Sequence, residues 1–268
     1  MSSIRPAAIA GMFYPGKPDV LARNVDALLA AATPAATIAV PKAIIAPHAG
    51  YIYSGPIAAS IYALIAPARA RIKRVVVLGP THRVAVHGIA LPGVNAFATP
   101  LGNIAIDAGA VKQLMALPYV GVSAEAHRQE HSLEVHLPFL QKVINEFTLV
   151  PLAVGRATAQ QVASVIDMLW GGEETLIVIS SDMSHYLPYA EAQATDNATA
   201  EAILALRTDL NHDQACGATP VIGLNLLAQQ RGLKAQLIDL RNSGDTAGDK
   251  ARVVGYGSFA YYEQSALH

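Results

Sequence analysis

Three short apolar runs, each ending in a turn that carries a histidine, constrain this chain more than any other feature. Residues 42–46 lead into Pro47-His48-Ala49-Gly50-Tyr51. Residues 74–78 lead into Gly79-Pro80-Thr81-His82. Residues 175–179 lead into Ser180-Ser181-Asp182-Met183-Ser184-His185. Each run reads as a buried strand, and open α/β sheets bind their ligands in the crevice at the carboxyl ends of the strands. Three strands that each deliver a histidine there predict one shared site around His48, His82 and His185. Imidazole is the commonest metal ligand and the commonest acid/base near neutral pH.

Around these runs the pattern alternates. Residues 19–31 set Leu21, Val25, Leu28 and Leu29 on one helical face. Ser54 is placed to cap a helix over residues 57–65, with Pro56 early in its first turn. Strands are expected at 88–91, 103–106, 148–154, 235–240 and 253–262. Helices are expected at 107–117, 131–144 (broken or kinked at Pro138), 159–169, 190–206 and 219–230. The last has Thr219 as N-cap, Pro220 at its first position and Gly232 as terminator. Residues 31–41 join helix to strand, and residues 243–249 read as a solvated turn. Strands alternating with helices predict an α/β fold, with a mostly parallel or mixed central sheet and helices on both faces. No linker splits the chain, so residues 1–268 are expected to form one domain.

Composition removes several classes of function. The net charge is −1 and no basic stripe is present, so nucleic acid is not expected as a partner. No run approaches the roughly 18 apolar residues that cross a bilayer, so no membrane is expected either. Residues 1–15 lack a signal-peptide pattern. A single cysteine, Cys216, fits a reducing cytoplasm, the expected compartment.

Cys216 lies just ahead of the expected helix at 219. There the helix dipole lowers a thiol pKa and makes the thiolate available as ligand or nucleophile. A small buried hydrophobe is the plainer reading. Asp182 is a candidate to orient a histidine or transfer protons, or else a helix N-cap. His185 is a candidate acid/base or further ligand. Glu130-His131-Ser132-Leu133-Glu134-Val135-His136 is the densest polar cluster. In a helix Glu130 and Glu134 lie one turn apart, and Ser132 is a possible cap. His131 is a catalytic candidate in this cluster. His87, His127, His212 and His268 are assigned to surface or loops. No dinucleotide fingerprint, Walker loop, Gly-x-Ser-x-Gly elbow or Cys-x-x-Cys is present.

Six separated motifs, in order, resemble the Memo family, whose prokaryotic members are called AmmeMemoRadiSam system protein B. They are Ala10-Gly11-Met12-Phe13-Tyr14-Pro15, Ala46-Pro47-His48-Ala49-Gly50-Tyr51, Leu78-Gly79-Pro80-Thr81-His82, residues 130–138, residues 180–185, and Cys216-Gly217 followed by Pro220. The resemblance implies a fold like that of the class III extradiol non-haem-iron dioxygenases. Those enzymes hold iron with two histidines and a carboxylate. The Memo family has a cysteine in the carboxylate's place, which maps the metal ligands onto His48, His82 and Cys216. His185 maps onto a further pocket histidine. The resemblance also implies a mononuclear metal ion, iron or copper with zinc as a further option, and a small-molecule substrate. A functional link to radical-SAM and AMMECR-type proteins follows from the system name.

These observations predict a redox-active metal site at the strand C-termini, with His185, Asp182 and His131 handling protons. Two other readings stay open. One is a metal-free Cys-His hydrolase or transferase; the other is a non-catalytic protein that binds a metal or a peptide.

Overall fold

Alternation of side chains along four central strands builds the molecule. The computed structural model describes residues 3–32 and 39–263. Its elements run β1 (Ile4–Arg5), α1 (Pro18–Ala31), β2 (Ala43–Ala46), α2 (Tyr51–Tyr62), β3 (Arg74–Pro80), β4 (Ile89–Leu91), β5 (Ala96–Thr99) and β6 (Gly102–Ala105). There follow α3 (Ala108–Leu114), β7 (Val120–Val122), α4 (Ala124–Arg128), α5 (His131–Glu134), α6 (Leu137–Val143), β8 (Thr148–Val154), α7 (Ala159–Met168) and β9 (Thr175–Ser180). The chain closes through β10 (His185–Leu187), α8 (Tyr189–Leu204), α9 (Ala218–Arg231), β11 (Lys234–Asn242), α10 (Ser243–Thr246) and β12 (Val253–Tyr262).

The large sheet has the order β10-β12-β2-β9-β3-β8-β4-β7, and β11 also pairs with β12. β2, β9, β3 and β8 run parallel. β12 is antiparallel to β2, and β4 to β8. The sheet is therefore mixed, with a parallel centre. Ile44, Val75, Val77, Leu176 and Val178 face one apolar cluster together with Leu21, Val25 and Leu140 from α1 and α6. Ile45, Val76, Leu78, Ile177 and Ile179 face another with Val162, Ile166, Val221 and Leu224 from α7 and α9. Burial on both faces is why these strands read as unbroken apolar runs. A slip of one residue would exchange the two faces, so the register is strongly specified.

β9 lies between β2 and β3, so the three strand exits are neighbours. Ala46 pairs with Ser180, and Leu78 with Ile179, so the exits are nearly level. This topology gathers the three histidine-bearing turns at one edge.

Several local expectations shift. α2 begins at Tyr51 with Gly50 as its N-cap, and Ser54 lies inside it, donating from Oγ to the Ala49 carbonyl (2.9 Å). The polar cluster forms two short helices; Pro138 opens α6, where proline is tolerated. Glu130, not Ser132, caps α5. α9 starts at Ala218 behind Gly217, so Thr219 is not its cap. Asn242 and Asp245 form a capping box over a helical turn where a solvated loop was expected. The stretch Tyr51–Ala68 is long and apolar enough, by length and composition, to cross a membrane. This departs from the expectation that no such run exists. The stretch is mostly buried inside the fold.

Candidate metal centre

His48 sits two residues beyond β2, His82 two beyond β3, and His131 opens α5. One ring nitrogen from each lies within 4.8 Å of the others. His82 and His131 stack with centroids 4.4 Å apart, and His48 meets both edge-on at 5.2 and 5.4 Å.

Hydrogen bonding fixes which nitrogens face the centre. Ser180 Oγ donates to the Ser132 carbonyl (2.6 Å), so it accepts from His48 Nδ1 (2.6 Å). The proton is thereby assigned to Nδ1, and the Nε2 lone pair is left for a cation. Glu130 accepts from the His82 backbone N–H (2.7 Å), from His82 Nδ1 (2.8 Å) and from the Ser132 N–H (3.0 Å). Burial pushes the Glu130 carboxyl up, but the hydrogen bonds from His82 and Ser132 outweigh it and hold the group at about 2. Glu130 is therefore an acceptor only, and His82 also presents Nε2. A carboxylate behind the imidazole raises its basicity as a ligand. His131 Nδ1 lies 3.3 Å from the same Glu130 oxygen.

Burial, followed by the neighbouring His82, holds His131 down to about 4 and His48 well below the ordinary histidine range. Neutral imidazoles with lone pairs turned inward fit a cation better than they fit one another as imidazolium ions.

Cys216, on the loop before α9, borders this cluster through His48 and stands outside the three residues whose ring nitrogens converge. A Cβ on Gly217 would come 2.5 Å from the Ser180 carbonyl, so only glycine lets this loop approach β9. The loop is pinned by Gly217 N–H to Ser181 Oγ (3.0 Å) and Cys216 N–H to the Asp182 carbonyl (3.2 Å). Cys216 Sγ lies 3.3 Å from His48 Nε2 and accepts from the Asp182 N–H at 3.3 Å. Burial, and then the Asp182 charge, push the thiol up to about 12. This corrects the expectation of a thiol acidified by the helix terminus: desolvation outweighs the dipole. With no cation beside it the group stays a thiol, in hydrogen-bond contact with His48 Nε2. A bound cation inverts that balance.

Asp182 is fully buried, and burial raises its carboxyl to about 7. Its Oδ1 accepts from the His48 N–H (2.7 Å), and Oδ2 lies 4.0 Å from His48 Nε2. It caps no helix, and its carboxylate accepts from the His48 turn and not from His185. His185 lines a cavity of about 680 Å³ shared with His82, Tyr186, His212 and Cys216. Burial lowers its pKa.

Sequence reasoning missed the partners that set the tautomers, Ser180 and Glu130, although both sit in motifs it singled out. His212 is exposed in a loop as expected, yet it lines the cleft and contacts the Cys216 carbonyl through Nδ1 (3.1 Å). His127 corrects its surface assignment: it is buried, with Nε2 on the Ala90 carbonyl (2.7 Å) and its ring against Phe97. His268 lies outside the described residues.

Comparison with known proteins bears on the family and the fold. The model of the family described as "Memo-like protein" matches residues 5–260. A "MEMO1 family protein" of Aquifex aeolicus is 37% identical, with 94% of this chain and 97% of the relative covered. One from Archaeoglobus fulgidus is 33% identical, with 96% and 99% covered. Among solved structures, the uncharacterized protein JW3007 from Escherichia coli K12 superposes with a TM-score of 0.51 at 14% identity. That match spans 81% of this chain and 98% of the other, and speaks to fold alone.

Proposed function

The chain belongs to the Memo-like protein family, and we propose that it is a metal-dependent protein, most simply an oxidoreductase acting on a small molecule. His48 Nε2, His82 Nε2 and the Cys216 thiolate would hold a mononuclear ion. The observation that carries this reading is the paired locking of Nδ1, by Ser180 on His48 and by Glu130 on His82. Two imidazoles and a soft thiolate suit copper or iron, with zinc the redox-silent alternative. When bound, such an ion supplies Lewis acidity and, for copper or iron, electron transfer. The chain's own residues would then manage protons. Asp182 Oδ1 is engaged by the His48 N–H, and a proton on Oδ2 would lie on the side of His48 Nε2. His185, kept neutral by burial, faces the cavity where a substrate would lie. A cytoplasmic setting and a pathway shared with radical-SAM and AMMECR-type proteins belong to the same proposal.

A second ligand set rests on a specific observation. The three converging ring nitrogens are those of His48, His82 and His131, so His131 is a rival third donor to Cys216. Anaerobic titration of Fe(II), Cu(I) and Zn(II) into wild type, Cys216→Ala and His131→Ala separates them. The thiolate reading expects one ion per chain and an affinity loss beyond about 100-fold in Cys216→Ala, past the range of outer-sphere changes. It expects a smaller loss in His131→Ala. The reverse ranking installs His131 as third ligand, and absence of stoichiometric metal in wild type overturns the proposal.

A further inference from the structure

The arginines divide sharply. The sequence has twelve of them. Nine are tied to carboxylate or amide groups: Arg5, Arg23, Arg69, Arg71, Arg74, Arg128, Arg207, Arg231 and Arg241. Arg252 lies over the Tyr186 ring at 5.2 Å. Only Arg83 and Arg156 have no side-chain partner among the described residues. Both line the same cavity, about 500 Å³, whose wall also holds His82, His212 and Cys216. No aspartate or glutamate lines it.

The fold puts the two guanidinium groups there by construction. Arg83 follows His82 directly at the exit of β3, and Arg156 lies two residues beyond the end of the adjacent β8. The two exits are laced together by Arg156 N–H to the Val86 carbonyl (2.8 Å) and Gly88 N–H to the Arg156 carbonyl (3.2 Å). A Cβ on Gly155 would sit 2.2 Å from the Val86 carbonyl, so the close approach requires glycine. The charge on Arg83 reaches the histidine cluster, where it contributes to lowering the His131 pKa. The cavity has the size of a small-molecule site. Guanidinium forks match carboxylate and phosphate oxygens bidentately.

We propose that Arg83 and Arg156 form an anion subsite beside His82, which selects a small organic substrate carrying a carboxylate or phosphate group. This names a substrate class for the metal site proposed above and rests on that reading for its chemistry, but not for its binding. The test is calorimetric titration of inorganic phosphate, and separately of succinate, into the metal-free protein at constant ionic strength. Wild type, Arg83→Gln/Arg156→Gln and the surface control Arg128→Gln are compared. Saturable 1:1 binding is expected in wild type and in the control. The double variant should lose at least about tenfold in affinity, since charge-assisted contacts are removed at both forks. Tighter phosphate binding assigns a phosphate-bearing substrate, and tighter succinate binding assigns a carboxylate. No saturable binding of either probe, or equal affinity in wild type and the double variant, overturns the subsite. Metal titration of the same proteins keeps the two ideas apart. Arginine-dependent anion binding without metal binding sinks the metal reading alone, and the opposite result sinks the subsite alone.

Discussion

Glu130 and Glu134 stand four residues apart, both buried to 1% exposure or less, and they serve different halves of the molecule. Glu130 faces the histidine crevice and spends its acceptors on His82 and Ser132. Glu134 faces the N-terminal segment, where it pairs with Arg5 and accepts from the Ala8 and Ile9 N–H groups and from the Tyr14 hydroxyl (2.6 Å). Arg5 also donates to the carbonyls of His127 (2.6 Å) and Glu130 (2.8 Å), so the strap grips the segment that carries both acids. The same chemical group, equally desolvated, closes the fold on one side and sets an imidazole tautomer on the other. Both accept from backbone N–H groups, and what decides the role is the remaining partner: a permanent cation for Glu134, a titratable ring for Glu130.

The comparison breaks most readily at Glu134. Glu134→Ala leaves the Arg5 guanidinium buried without its counter-charge. A stability loss of about 3–5 kcal/mol is expected, read from denaturant unfolding. Metal stoichiometry of the folded fraction should stay near wild type. A loss below about 1 kcal/mol would show that backbone carbonyls satisfy Arg5 unaided, and that the N-terminal segment is not held by charge.

The next effect concerns the crevice and its pH dependence. The Cys216 thiol stands at about 12 and His131 at about 4, with His48 also held low. Near neutral pH, coordination by Cys216 must therefore expel the thiol proton, whereas His48 and His131 have none to lose on binding. The rise of affinity with pH between roughly pH 6 and 8 should be about tenfold per unit steeper in wild type than in Cys216→Ala, where the titration of Asp182 at about 7 remains. Equal slopes in the two proteins would assign the third position to His131.

Glu130→Gln sharpens the contrast with its neighbour. Metal affinity should fall about 10–100-fold while the fold persists, the inverse of the Glu134 result. The Glu130 carboxyl is depressed in the folded chain from 4.5 to about 2. Its stabilisation is thus complete above about pH 4.5 and is lost as the pH falls through about 2. An amide has no such titration, so the acid limb of the stability curve should flatten between those values. An unchanged acid limb would mean that Glu130 is not held ionised by His82 and Ser132.

The sheet was legible because both of its faces are covered, which writes β2, β3, β8 and β9 as apolar runs; residues 148–154 and 253–262 match their strands to the residue. Short elements such as β1, β7 and β10 were not legible, since two or three residues carry no periodicity. The histidines at the strand exits could be placed because sheet topology is general. Their orienting partners could not, because Ser180 closes a strand as any small residue does, and Glu130 looks like half of a surface pair with Glu134. Arg5 gives no sign in the sequence that it is buried 129 residues away against Glu134. The Cys216 error has the same origin: the helix terminus is readable, the desolvation around it is not.

The smallest effect separates a charged orienting group from a neutral one. Ser180 does for His48 what Glu130 does for His82, but through a hydroxyl that is itself committed to the Ser132 carbonyl. Ser180→Ala removes the acceptor and leaves a buried His48 Nδ1–H unsatisfied. The ring can then shift its proton to Nε2, the nitrogen facing Cys216. Metal binding reverses that shift, and a neutral acceptor adds less basicity than a carboxylate. The expected loss in metal affinity is therefore less than about tenfold, smaller than for Glu130→Gln, with a stability loss of about 1–3 kcal/mol from the orphaned donor. Nitrogen-15 spectra of the imidazoles in the metal-free protein supply the direct reading. Wild type should show His48 protonated at Nδ1, and the variant a mixture or the Nε2 form. A wild-type ring already protonated at Nε2 would remove the basis for calling this crevice ready for a cation, whatever the affinities turn out to be.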